Sequence, residues 1–183
     1  MTTDSASRRA LLRLARRSIV TAVGGNDGTP LDDSLPIFDQ RRGAFVTLHR
    51  HARLRGCIGR VEPEEPLRAL IPDVARSAAL ADPRFPVVTS SEVASLVIEI
   101  SLLSGPQPIR AAAQVEVGRH GLIIAARGHR GLLLPQVATQ YGWTSEEFLA
   151  EVCEKAGLPP DAWKSDGARL QTFTAEVFSE EEA

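Results

Sequence analysis

Cysteine is scarce in this chain of 183 residues: there are two, Cys57 and Cys153, far apart and without a CxxC spacing. That usage excludes a disulfide framework and argues against a structural zinc site, and a reducing cytoplasm is the expected setting. An iron–sulfur centre would need more clustered thiols than the chain has. Aromatic residues make up only 5%, with one tyrosine and two tryptophans (Tyr141, Trp143 and Trp163), so no aromatic cage or base-stacking platform stands out. Neither sign of charge dominates: 21 Lys and Arg stand against 23 Asp and Glu, a net charge of -2. The whole molecule therefore has no general attraction for nucleic acid or an anionic membrane, and neither is expected as a partner. The most apolar run, LVIEISLL (96–103), is too short to cross a bilayer and contains Glu99. No Walker-type loop, HExxH or GxSxG occurs, and no repeat or low-complexity segment is visible.

What is present reads as an ordinary globular protein. A hydrophobic content of 43% with 24% charged residues, at this length, predicts a single domain over 1–183. Leu11, Leu12, Ala15, Ile19 and Val23 recur at helical spacing, which predicts an N-terminal helix over 7–23 with Arg9, Arg13, Arg16 and Arg17 in water. The same stretch, arginine-rich and without acids, has the look of a transit peptide or a membrane-surface helix, but its apolar face suits the opening helix of a fold. Residues 24–43, rich in Gly, Pro and Asp, predict a long loop. AFVTLH (44–49) and RLRGCI (53–58) predict a hairpin turning at RHA, with His51 in the solvated turn. The next helical segments place Pro66 and Pro72 in first turns and end before Pro83. In 94–104, Leu96, Ile98, Ile100 and Leu102 alternate onto one face.

Further on, GLIIAA and GLLLP predict a hairpin through a two-residue turn at Gly128 and His129. Thr144 and Glu147 form a capping-box pattern for a helix that Gly157 stops. Residues 169–178 predict a late strand, and 179–183 a frayed acidic tail. Hairpins with helices at intervals give the α+β class.

The chemistry centres on the segment 53–60, RLRGCIGR. On an extended strand Arg55 and Cys57 share a face, where a guanidinium would stabilise a thiolate, the form in which cysteine is a nucleophile or ligand. Gly56 and Gly59 would let a small molecule approach the thiol, since glycine in a strand often marks close approach. The competing reading is a small buried residue that only packs. Glu99, among apolar neighbours, needs a partner, and Arg55 or Arg84 is expected to supply it. His49 and His51 lack the further ligands that a metal site requires, so no metal is expected. The GxxG spacings in GRHG and RGHRG border strands and read as turns.

These blocks, FVTLHRHARLRGCIGR, AALADPRFPVVTSSEV, LVIEISLLS, GLLLPQV and FTAEVF in order, resemble the AMMECR-type domain family, in the form found in bacteria and archaea as AmmeMemoRadiSam system protein A. The hallmark LRGCIG is intact at Leu54, Arg55, Gly56, Cys57, Ile58 and Gly59. The resemblance implies an antiparallel sheet with flanking helices and a smaller lobe forming a cleft near LRGCIG. It also implies that Arg84, Glu99, Arg130 and Gln136 neighbour that cleft, and that a Memo-like protein and a radical S-adenosylmethionine protein are partners. Two functions follow as expectations. One is a small-molecule enzyme or enzyme component in which Cys57 acts with Arg55 and Glu99, while Gly56, Gly59, Arg84, Arg130 and Gln136 bind ligand, with no cofactor of its own. The other is a non-catalytic adaptor for those two partners.

Overall fold

A computed structural model describes residues 3–26, 28, 34–62 and 64–181. The chain forms two compact units, one made of the segment up to Leu103 together with Glu176 onward, the other of Ser104–Ala175.

The first unit opens with helix α1 (Ser5–Ala22), whose N-cap Asp4 accepts the Ser7 N–H at 2.9 Å and the Ser7 hydroxyl at 2.7 Å. Leu11, Leu12, Ala15 and Ile19 are buried, as the helical spacing predicts. Arg16 departs from the expectation of a solvated face: it reaches the carbonyls of Val93 and Leu96 at 2.7 Å and pairs with Glu180. That contact also anchors the start of the acidic tail, where the Glu180 N–H donates to the Ile98 carbonyl at 3.0 Å. Residues 182–183 of the predicted tail lie outside the described residues, as do 27 and 29–33 of the predicted loop. The described part of that loop contains a 3-10 turn at Pro36–Asp39.

Strands β1 (Ala44–Arg50) and β2 (Arg53–Arg60) form the predicted hairpin. Its two turn residues, His51 and Ala52, both have positive φ, 50° and 58°, the twist that a two-residue hairpin connection needs. Helix α2 (Leu67–Leu80) is one continuous element with Pro72 inside it, not two segments each starting at a proline. Burial of Leu67, Leu70, Ile71, Val74, Ala75 and Ala78 outweighs the hydrogen bond that Pro72 cannot make. Strand β3 (Leu96–Leu103) completes the order β2-β1-β3, antiparallel throughout. One face of this sheet, with Val46, Leu48, Ile98 and Ile100, forms the core with α1 and α2.

The second unit holds β4 (Gln107–Ile109), β5 (His120–Ala126), β6 (His129–Leu133) and most of β7 (Arg169–Ser179), with β4 and β5 both antiparallel to β7 and β6 antiparallel to β5. The β5–β6 turn falls at Arg127 and Gly128, one residue earlier than expected, because these two carry the positive φ values of 52° and 80° and Ala126 pairs with His129. Helix α3 (Pro135–Tyr141) follows, an element the sequence pattern does not announce. Helix α4 (Ser145–Lys155) shows the predicted capping box, and Gly157 follows it at φ 72°. Phe148, Leu149, Val152 and Cys153 of α4 are buried against Leu122, Ile124 and Leu170. The fold class is α+β.

Candidate functional site

The second face of the β2-β1-β3 sheet is polar at its centre. Thr47 stands opposite Cys57 on one side and opposite Glu99 on the other, so the register puts the three side chains in one row. Strand alternation adds His49 and Phe45 to the same face. The Thr47 hydroxyl, almost buried, donates to the Cys57 sulfur at 3.2 Å. The His49 imidazole lies 4.0 Å from the Glu99 carboxylate, each side chain 32% exposed.

Cys57 sits on an outer strand, and its backbone is held by side chains instead of a further strand. Asp82, nearly buried, accepts the Cys57 N–H at 2.8 Å, while Arg84 donates to the Cys57 carbonyl at 3.2 Å. Asp82 also takes both Nε and Nη2 of Arg84, at 2.9 and 2.7 Å, and the Arg84 N–H at 3.1 Å. These bonds, led by the Arg84 guanidinium, hold the Asp82 carboxyl well below the usual carboxylate range. In return the hydrogen bonds to Asp82 raise the pKa of Arg84.

Arg55 behaves otherwise than expected. Leu48 faces Gly56 and His49 faces Leu54, so Arg55 is the extra residue of a β-bulge and escapes simple alternation. Its guanidinium turns to the 86–92 segment, donating to the carbonyls of Pro86 and Val87 at 2.8 and 3.3 Å and to both oxygens of Glu92 at 3.2 and 3.3 Å. Glu92 also receives Arg50 at 2.9 Å and the Thr89 N–H at 2.9 Å. The Arg55 bonds, followed by the Thr89 N–H, lower the Glu92 pKa from 4.5 to about 2. A carboxyl depressed in the folded state stabilises the fold above its unfolded pKa, and that contribution fades as pH falls toward the folded value. Glu92→Gln is therefore expected to lower the urea midpoint near neutral pH, with the gap to wild type closing between about pH 4.5 and about pH 2. A gap of constant size across that range would show that the charge is not what holds the segment.

The glycines of the motif have packing explanations. A Cβ on Gly56 would lie 2.1 Å from the Ala78 carbonyl oxygen of α2, and one on Gly59 would lie 2.3 Å from the Phe45 ring. At both positions the direction a Cβ would take is filled by the chain's own atoms. Glu99 pairs with His49; Arg55 and Arg84, its expected partners, bind Glu92 and Asp82. Arg130 on β6 and Gln136 on α3 are exposed residues of the second unit.

Three residues that sequence reasoning passed over, Thr47, Asp82 and Glu92, organise the site. Asp82 heads the DPRFP block, so its signal was present as a neighbour of Arg84; Thr47 becomes visible only through strand register. The second thiol, Cys153, is fully buried, and burial pushes its pKa up. Among the described residues no cluster of three His, Cys, Asp or Glu could hold a metal, and no helix is long and apolar enough to cross a membrane.

The family model AMMECR1 matches residues 12–178. A protein of Methanothermobacter thermautotrophicus is 44% identical over 180 residues, covering 94% of each chain. Protein MJ0810 of Methanocaldococcus jannaschii is 47% identical, covering 93% of this chain and 89% of its own. The crystal structure of the uncharacterised protein PH0010 from Pyrococcus horikoshii superposes with a TM-score of 0.81 at 42% identity, over 99% of this chain and 94% of that one.

Proposed function

The chain belongs to the AMMECR1 family, and from that premise and the geometry around Cys57 we propose that it is a small-molecule enzyme or enzyme component with Cys57 as nucleophile. The observation that carries this reading is the Thr47 hydroxyl aimed at the Cys57 sulfur on a sheet face that also bears a carboxylate–imidazole pair. The Thr47 hydroxyl donates to the sulfur and the Arg84 guanidinium to the carbonyl of the same residue, and the thiolate is the form in which a cysteine acts as nucleophile. In this reading Arg84 takes the role that the sequence assigned to Arg55. His49 and Glu99 exchange protons with the substrate. Two strand spacings of about 4.8 Å separate the backbones of Cys57 and Glu99, so a substrate touching both bridges across Thr47. Because Asp82 already matches the charge of Arg84, the site suits a neutral electrophile better than an anion. The cytoplasmic setting rests on the sparse cysteine usage, and the two partners, a Memo-like protein and a radical S-adenosylmethionine protein, rest on the family resemblance.

One observation favours the adaptor reading instead: Arg55, Gly56 and Gly59 hold the chain to itself, as Asp82 does from outside the motif, so half of LRGCIG is explained by architecture. Thiol reactivity separates the two. In a Cys153→Ala background, Cys57 is expected to react with iodoacetamide at neutral pH about tenfold faster than a free cysteine peptide, and Arg84→Gln or Thr47→Val to slow it. A rate at or below that of the peptide, unchanged by either substitution, would move the weight to the adaptor.

A further inference from the structure

Helix α1 carries five arginines and no acidic residue. Two are engaged: Arg8 pairs with Glu176 at 2.6 Å, and Arg16 with Glu180 and two carbonyls. The other three, Arg9, Arg13 and Arg17, follow one another at four-residue spacing, all exposed, and none has an ion pair among the described residues. Like charges at that spacing oppose helix formation, so this stripe works against the element that bears it. Arg17 also forms one wall of an open groove of about 340 Å³ between α1 and α2. Leu14, Ala22 and Pro72 give the groove an apolar floor, and Arg76 of α2 stands on its far side.

We infer that this groove and the arginine stripe form a docking surface for an acidic protein segment bearing an apolar side chain. The stripe supplies charge complementarity and steering, and the groove supplies the desolvated anchor that surface ion pairs alone do not provide. A membrane surface fits less well, since none of the exposed large hydrophobic residues lies on α1. Nucleic acid fits less well too, because the groove has no aromatic lining for base stacking. The surface lies away from the Cys57 face and belongs to neither reading of that site.

The test is fluorescence anisotropy at low salt with a labelled peptide that repeats Glu-Glu-Leu, next to a version with serine for leucine, a thymidine oligonucleotide and phosphatidylserine vesicles. The Glu-Glu-Leu peptide is expected to bind the full chain. Added salt, the change of leucine to serine, and Arg9→Glu/Arg13→Glu/Arg17→Glu should each weaken it about tenfold or more. Thr21→Glu, at the groove wall, should act the same way, and circular dichroism of each variant checks that the helix persists. Binding that ignores the arginine changes, tighter binding of the oligonucleotide or vesicles, or no peptide binding would each overturn the inference.

Discussion

Gly56→Ala is expected to destabilise the first unit by about 3 kcal/mol, read as a large drop in the urea midpoint. The added methyl would sit 2.1 Å from the Ala78 carbonyl oxygen, and that atom belongs to the backbone of a helix whose residues fill the core. No rotamer change relieves such a contact; either α2 moves off the sheet or β2 bends away from β1. Gly59→Ala should cost somewhat less, because its nearest neighbour is the Phe45 ring, although the Ala44 carbonyl oxygen at 2.5 Å limits how far the strand gives way. Gly105→Ala is the matching control, with nothing within 4 Å of the new atom, and should stay within about 0.5 kcal/mol of wild type. Equal midpoints for the Gly56 and Gly105 variants would mean that α2 does not press on β2, and the packing account of the motif would fall with it.

The second large effect is at Asp82. Asp82→Ala removes an acceptor of four hydrogen bonds, from the Cys57 N–H, the Arg84 N–H and two guanidinium nitrogens, all within 3.1 Å. Losing a buried charged acceptor and leaving its donors without a partner is expected to cost about 3 kcal/mol near neutral pH. The folded carboxyl is depressed, so its contribution is complete above the ordinary aspartate value of about 4 and declines as acid protonates it. The cost of Asp82→Ala should therefore shrink as pH is lowered. Arg84→Ala in the same chain should add less than its own separate cost, because both changes break the same pair. Additive costs, or a cost unchanged between neutral pH and strong acid, would show that Asp82 and Arg84 act independently.

Periodicity made much of the fold legible. The buried faces of α1 and β3, the β1–β2 hairpin and the capped helix α4 stand where apolar spacing and capping residues put them. The departures have local causes. Pro72 reads as a helix start, yet the buried residues on either side of it carry the helix through. Gly128 reads as the first turn residue, yet Arg127 adopts positive φ ahead of it.

The site was legible in part. Cys57 and Glu99 could be picked out as unusual residues, but that Thr47 stands between them depends on how three strands register, which no single segment encodes. Strict alternation puts Arg55 on the Cys57 face, and a one-residue bulge removes it from that pattern. Arg84 could be named from its block, while its arrival beside Cys57 depends on the 82–92 segment folding back along β2.

That fold-back bears on how the protein keeps to itself. The rim of a sheet offers unpaired amide and carbonyl groups to which any extended chain can add, and this is a common route to strand swapping and fibrils. Here the rim at Cys57 is taken by a carboxylate and a guanidinium, and just beside it the Arg55 bulge spoils the regular spacing that a newcomer would need. At Cys57 the strand is thus left with its side chain part-exposed and its amide and carbonyl taken, so a neighbour can meet the sulfur without pairing to the backbone there.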